Sequence, residues 1–407
     1  MAQFLISTLA LQRNARLLRE LADSCGARML VALKAFGSPS VLPLLRPYAA
    51  GCCASGLCEA RLGARHLGGH VAVYSPAYRE EELAELLNFA HHIDFNSLPQ
   101  WQRYREQVLA HPRTRSGALR AGLRVNPCYS TGHTPLYDPC IPGSRLGVPA
   151  EQLRDPALLD GLSGLHLHTL CEQGAEDLIA TFRAFEQDWG ALLAAPSMRY
   201  LNLGGGHWIT KPGYNLRALA ELVRDIRQRY RVEVYLEPGE AWFIHTGVLR
   251  ARVLDIFESL GYRHAIVDTS AAAHMPDVLE MPYRPELYLA RPAERTHAQD
   301  ASAAPTYPAV QLPGIHYEQG AEVGQKAHSY RIGAVTCLAG DVMGDYSFNT
   351  ELRVGDELVF DDMTHYTLVK TTHFNGVPHP DIALLQADGC INTTRCFGYE
   401  DFESRLG

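Results

Sequence analysis

The sequence contains no apolar run approaching the roughly 18–20 residues that a membrane-spanning helix needs, so no membrane partner is expected. It also lacks an excess of positive charge: 45 acids against 37 bases leave a net charge of −8. That balance argues against nucleic acid, whose binders need a basic face, and weakly favours cationic ligands. There is no internal repeat and no low-complexity tract. The opening MAQFLISTLALQRNARLLRE has no basic start ahead of a long apolar stretch and no small-residue cleavage site. It reads as a strand followed by a helix, not a signal peptide, and a cytoplasmic protein is expected. The ten cysteines follow no secreted framework and read as free cytosolic thiols. With 46% hydrophobic residues the chain is too apolar to be disordered, and 407 residues suffice for one large core and one smaller.

What is present, up to about residue 240, is an alternation of strand and helix patterns. Eight apolar strands are expected at 27–33, 49–55, 70–75, 91–96, 118–125, 162–170, 199–203 and 232–236. Helical periods lie between most of them. Residues 79–90 place Leu83, Leu86, Leu87 and Ala90 on one face, 216–230 do so with Leu219, Leu222, Val223 and Ile226, and a helix at 8–23 precedes the first strand. Eight such units match the size of a (β/α)8 barrel, an α/β fold with a parallel sheet; a doubly wound sheet is the alternative. Beyond Ala241 the pattern is strand-like at 248–256, 263–268, 329–337, 357–360 and 366–370, without a recurring helical period. This predicts a mostly antiparallel β domain. The expected domains are thus a barrel over 8–243 and a β domain over 244–407, to which residues 1–7 add a strand. The proline-rich stretch 282–313 reads as a long surface excursion.

In a (β/α)8 barrel, catalytic groups project from the C-terminal ends of the strands. The first strand ends in Lys34, where burial would disfavour the charged amine and leave the neutral form that Schiff-base chemistry uses; a lysine snorkelling to solvent is the plain alternative. The sixth ends in His166-Leu167-His168, two imidazoles on one face, suited to stacking on a flat ring, to core hydrogen bonding or, less well, to a metal, for which no third ligand is apparent. The seventh ends in Gly204-Gly205-Gly206, either a tight turn or a backbone cradle for an anion. The eighth ends in Glu237-Pro238-Gly239-Glu240, and an acid there needs a positive partner, either a structural cation or a protonated pyridine nitrogen. An amine, an imidazole, an anion cradle and an acid on one barrel face are the parts needed to hold pyridoxal 5'-phosphate.

With these motifs the sequence resembles the fold-type III pyridoxal-phosphate decarboxylases, the family of the ornithine, diaminopimelate and carboxynorspermidine enzymes. The likeness extends to the C-terminal segment Thr336-Cys337-Leu338-Ala339-Gly340-Asp341 and is nearest to the carboxynorspermidine branch. It is carried by ASGLCEARLG (54–63), YDPCIPGSRLG (137–147), GLHLHTLCEQ (164–173), DTSAAAHMPDVLEMPYRP (268–285) and CLAGDVMGDY (337–346). The resemblance implies that Lys34 is the Schiff-base lysine, His168 the ring-stacking residue and Glu237 the pyridine-nitrogen partner. It implies phosphate binding by Gly204–Gly206 and Tyr366, and cofactor binding by Gly239. It implies a homodimer in which Cys337 reaches across to the partner's site, with Cys337 or Lys34 returning a proton to the α-carbon. The implied reaction is decarboxylation of carboxynorspermidine or carboxyspermidine to the triamine, a step of polyamine biosynthesis with no metal.

Three departures from the family pattern bear on the substrate. Glu240 stands where arginine usually follows the EPG turn, and an acid suits a cationic amine rather than a carboxylate. CLAGD replaces CDGLD, so no acid directly follows the cysteine. Cys171 occupies a position where many relatives carry a phosphate-binding serine. The candidate acids for substrate amines are Glu240 and Asp277, then Asp268 and Asp341. Diaminopimelate or another basic amino acid is the alternative substrate. An amino-acid racemase is disfavoured by Glu237 at the ring-nitrogen position, and a non-catalytic carrier by Lys34, Cys337 and the complete β domain.

Overall fold

Eight strands, Arg28–Ala32, Gly51–Ala54, His70–Tyr74, His92–Phe95, Arg120–Asn126, Gly164–Leu167, Tyr200–Asn202 and Glu233–Leu236, run parallel and pair in the order four-three-two-one-eight-seven-six-five. Strand four then closes on strand five, with Ile93 opposite Ala121. The computed structural model describes residues 1–153, 155–293 and 308–407. The closed barrel lies within one unit, Gln12–Trp242; the second unit comprises Met1–Leu11 and Phe243–Gly407.

The barrel strands are near-continuously apolar because both faces are covered, by side chains inside and helices outside. The helix Leu216–Tyr230 shows how local chemistry sets the outer layer. Asn215 caps its start by accepting from the Ala218 N–H, Leu219, Ala220, Val223 and Ile226 are buried, and Arg231 ends it in the left-handed region at φ 55°. The helix expected at 79–90 is shorter, Glu80–Leu86. The barrel interior is partly aromatic and polar. The Tyr200 ring stacks on His92 at 3.7 Å between centroids. Strands five and six make room for it with glycine, since a Cβ on Gly122 or Gly164 would fall 2.1 and 2.0 Å from Tyr200 atoms.

The second unit is built on a ten-stranded, mostly antiparallel sheet. Strand Gln3–Ser7 lies between Gly247–Ser259 and Asp381–Leu385. Phe4, Leu249, Val267, Leu289, Ile332 and Phe360 form part of its core. Two expectations are corrected here. Residues 366–370 form no strand: Tyr366 is left-handed at φ 53° and Leu368–Lys370 is a 3-10 turn, in which the Lys370 N–H bonds back to Thr367. The stretch 282–313 is not wholly a surface excursion. Leu287–Pro292 is a sheet strand with Leu287, Tyr288, Leu289 and Ala290 buried, an apolar run that the flanking prolines mask in composition. Residues 294–307 of that stretch lie outside the described residues. Among the described residues no helix is long and apolar enough to cross a membrane.

Candidate active site

The chain has four lysines, and three are engaged. Lys211 lies over the Trp208 ring, Lys326 pairs with Glu318, and Lys370 with Asp277 and Glu280. Lys34 has no hydrogen bond or ion pair among the described residues. It sits in the turn after the first strand, exposed, beside the buried Leu33, Ala35 and Phe36. The burial expected of its amine is therefore corrected: the strand end buries its neighbours and leaves Lys34 itself exposed. Its charge acts on Glu237, His168, Cys53 and Cys171, which places all of them around it.

The end of strand seven is pressed between its neighbours. A Cβ on Gly204 would meet His168 Nδ1 at 2.5 Å, one on Gly205 the Glu237 carbonyl at 2.1 Å, and one on Gly206 the Leu170 carbonyl at 1.9 Å. Gly204 and Gly206 also have positive φ, at 68° and 82°. The triple glycine is thus required by close backbone approach. Two of its N–H groups are spent inside the barrel, Gly204 on Asn202 Oδ1 and Gly205 on His168 Nδ1, each at 2.9 Å. The expectation of three donors for an anion is corrected accordingly. Among the described residues the N–H groups of Gly206 and Gly239 have no protein acceptor, so one donor remains on each of the loops after strands seven and eight.

Because His168 Nδ1 accepts a backbone N–H, its neutral ring carries its proton on Nε2. Burial, reinforced by Lys34 and Arg124, holds its pKa well below the ordinary value. His168 is therefore a neutral ring of fixed tautomer, suited to lying against another ring. Glu237 is held by the Asn202 amide, which donates to Oε1 at 2.6 Å, and by His166, whose Nε2 lies 3.3 Å from Oε2. Burial pushes the Glu237 pKa up, but His166, Asn202 and Lys34 outweigh it and keep the carboxyl below its ordinary range. Glu237 is thus a buried anion, the partner a protonated pyridine needs. Behind His166 stands Asp94, which accepts from the Tyr200 hydroxyl at 2.6 Å.

Asn202, Asp94 and Tyr200 were missed in the sequence. The signal was there for Asp94, a carboxylate within the apolar strand His92–Phe95, to which the argument made for Glu237 applies equally. Glu240 opens the short helix after the eighth strand and acts on Cys171, whose thiol burial pushes up to about 11. The barrel unit thus brings together Lys34, His168, Gly204–Gly206, Glu237, Gly239 and Glu240.

The remaining candidates belong to the sheet unit. Cys337 is exposed, and its N–H donates to Asn375 Oδ1 at 2.9 Å. Tyr366 is half-buried, on the left-handed residue already described. Asp277 shares Lys370 with Glu280, so two carboxylates meet one ammonium and one net negative charge remains. Asp268 accepts from the Arg252 N–H at 2.7 Å and ties two strands together. Asp341 is 3% exposed and accepts from Ser270 Oγ, the Ala272 N–H and Thr336 Oγ1. Its proposed role toward a substrate amine is corrected: both oxygens are taken up in anchoring its own loops.

Known proteins are similar to this chain over nearly its whole length. The profile of the family described as pyridoxal-dependent decarboxylase, C-terminal sheet domain, matches residues 71–364. The chain is 41% identical to a carboxyaminopropylagmatine decarboxylase of Synechocystis sp., covering 99% of this chain and 95% of that protein. It is 37% identical to a carboxynorspermidine/carboxyspermidine decarboxylase of Campylobacter jejuni, covering 97% and 95%. The crystal structure of carboxynorspermidine decarboxylase from Campylobacter jejuni, complexed with norspermidine, superimposes with a TM-score of 0.82 at 35% identity, covering 100% of this chain and 99% of that one. The barrel residues fit the cofactor of such enzymes: an unpaired lysine, a neutral imidazole, a buried carboxylate and two unclaimed backbone donors. A fold, a site chemistry and full-length identity that agree leave one assignment: the chain belongs to the pyridoxal-dependent decarboxylases and uses pyridoxal phosphate.

Proposed function

We propose that the chain removes the α-carboxylate of a carboxylated polyamine, carboxynorspermidine or carboxyspermidine, releasing norspermidine or spermidine, and that it acts in the cytoplasm as a homodimer. The observation that carries this reading is the full-length likeness to decarboxylases of that substrate class. When bound, pyridoxal phosphate supplies an electron sink for the pair left on the α-carbon as carbon dioxide departs. Lys34 would hold the cofactor through its amine. Glu237 would face the ring nitrogen and favour its protonated form, and His168 would lie against the ring. Gly206 and Gly239 would donate their unclaimed N–H groups to the phosphate, and Tyr366 is proposed as a further phosphate ligand. Cys337, contributed across the dimer, or Lys34 returns the proton to the α-carbon. Glu240 holds a substrate ammonium near the ring, and Asp277 a more distant one through its unneutralised charge.

A second substrate is favoured by a specific observation. The Synechocystis relative at 41% identity is named for carboxyaminopropylagmatine. A guanidinium end would ask for a carboxylate in bidentate geometry where the triamine needs only a point charge.

The test is covalent mapping. Purified protein should be yellow, and borohydride should fix the cofactor on the peptide containing VALKAF. Lys34→Ala should lose turnover even where the cofactor still binds. A label on Lys211 or Lys370 would overturn the assignment.

A further inference from the structure

His166 occupies an unusual position. Its Nε2 lies 3.3 Å from Glu237 Oε2 and its Nδ1 3.6 Å from Asp94 Oδ2. The ring is buried, at 3% exposure, as is Asp94 at 1%. Among the described residues neither ring nitrogen has a geometrically formed hydrogen bond, so the two carboxylates meet the ring as ion-pair neighbours. Its remaining ring neighbours are the edge of Tyr74 at 5.3 Å and His168 at 6.3 Å. A neutral imidazole has one N–H and one lone pair, so between two carboxylates it would satisfy one and repel the other. Only the doubly protonated ring satisfies both. The Tyr200 hydroxyl donates to the other oxygen of Asp94 and holds that carboxylate in place.

We propose that Asp94, acting through His166, keeps Glu237 charged as the partner of the cofactor ring nitrogen, which makes Asp94, His166 and Tyr200 positioning residues of the barrel site. The inference rests on the functional reading above, in which Glu237 meets that nitrogen. The groups facing the relay are Tyr74 on strand three, Arg124 on strand five, His168 on strand six, Tyr200 on strand seven and Lys34 after strand one. Arg124 favours the charged form of Asp94, and in the cofactor-free protein Lys34 favours that of Glu237. Burial raises the Asp94 carboxyl to about 6, so this acid is the part of the relay that titrates near neutrality. Without the Asp94 charge one of the two anions against the His166 ring is gone, and with it the hold of the relay on Glu237.

The test is a titration of the ring nitrogen itself, with the holoenzyme loaded with pyridoxal phosphate labelled with nitrogen-15 and followed by NMR. In the wild type the ring nitrogen should be protonated through neutral pH. In Asp94→Asn its midpoint should fall by about one pH unit or more, a tenfold loss of the protonated form on the alkaline side. Tyr200→Phe keeps the carboxylate and removes only its donor, and should shift the midpoint the same way by less. Superimposable titrations in wild type and a folded, cofactor-bearing Asp94→Asn would overturn the relay. If that variant does not fold, an unshifted Tyr200→Phe overturns it. A wild-type ring nitrogen that is neutral at every pH would overturn instead the role given to Glu237, and the relay with it.

Discussion

Replacing Glu237 with glutamine removes one charge from the barrel and leaves its shape. The carboxylate is 11% exposed, bonded to Asn202 at 2.6 Å and close to His166 at 3.3 Å. In Glu237→Gln the amide oxygen can still accept from Asn202, and the change relieves the burial of a charge, so the barrel should stay folded. What disappears, on the proposed assignment, is the charge-assisted contact to the protonated ring nitrogen. Such contacts are worth roughly 1.5–3 kcal/mol, which corresponds to a loss of about 10- to 150-fold. The contact is with the cofactor and not with substrate amines, so the loss should fall on kcat and leave KM little changed. The assay is carbon dioxide release at saturating substrate, with bound cofactor measured on the same sample. Turnover within about threefold of wild type, with cofactor retained, would refute the argument and leave the carboxylate a structural role.

Gly204→Ala places a Cβ 2.5 Å from His168 Nδ1 at a left-handed backbone, so it should lower stability by about 1–2 kcal/mol or more, seen as a reduced urea midpoint, and weaken cofactor binding together with it. Glu240→Gln should raise KM for the carboxylated triamine by roughly 10-fold or more while cofactor binding is unchanged, checked by steady-state kinetics. If the proposed shared-site dimer holds, mixing Lys34→Ala with Cys337→Ala should restore activity, since one site of each heterodimer would receive both residues; no recovery despite demonstrated subunit exchange would place both in one chain's site. Burial raises the Asp361 carboxyl to about 7. Its folded value thus exceeds the ~3.9 of the unfolded chain, so the folded state holds this proton more tightly and the penalty of ionising it grows from pH 4 and is complete above pH 7. Asp361→Asn should gain stability relative to wild type over that window, by at most about 4 kcal/mol, measured by urea unfolding at pH 5 and pH 8.

The barrel was legible because parallel strands covered on both faces leave a run of eight apolar segments, and the chemistry sits where each run stops. Lys34, His168, Gly204–Gly206 and Glu237 all stand at such ends. The less legible residues are those inside the strands. Asn202 is a single polar residue in a three-residue strand, and nothing local announces that it holds both Glu237 and the glycine turn. Tyr200 reads as ordinary core until Gly122 and Gly164, distant in sequence, are seen to make space for its ring. In the sheet unit, 366–370 has strand-forming residues, yet the left-handed Tyr366 turns the chain. Leu287–Pro292 has prolines around it, yet its pairing with Glu357–Asp361 and Ile315–Gln319 makes it a strand. In both cases long-range contacts outweigh local propensity. Asp341 looked available because an acid near a family cysteine suggests a ligand; only its burial and its three donors show it engaged.

The central claim is most directly tested by the rate of carbon dioxide release, measured side by side on carboxynorspermidine, carboxyspermidine, carboxyaminopropylagmatine, diaminopimelate and ornithine with one preparation of the pyridoxal-phosphate-loaded protein. The account predicts that kcat/KM for a carboxylated triamine exceeds that for diaminopimelate and ornithine by about 10-fold or more, the worth of one charge-assisted contact made only to the longer cation. Preferential turnover of diaminopimelate or ornithine would contradict it, and preference for carboxyaminopropylagmatine would move the substrate to the guanidinium-ended relative.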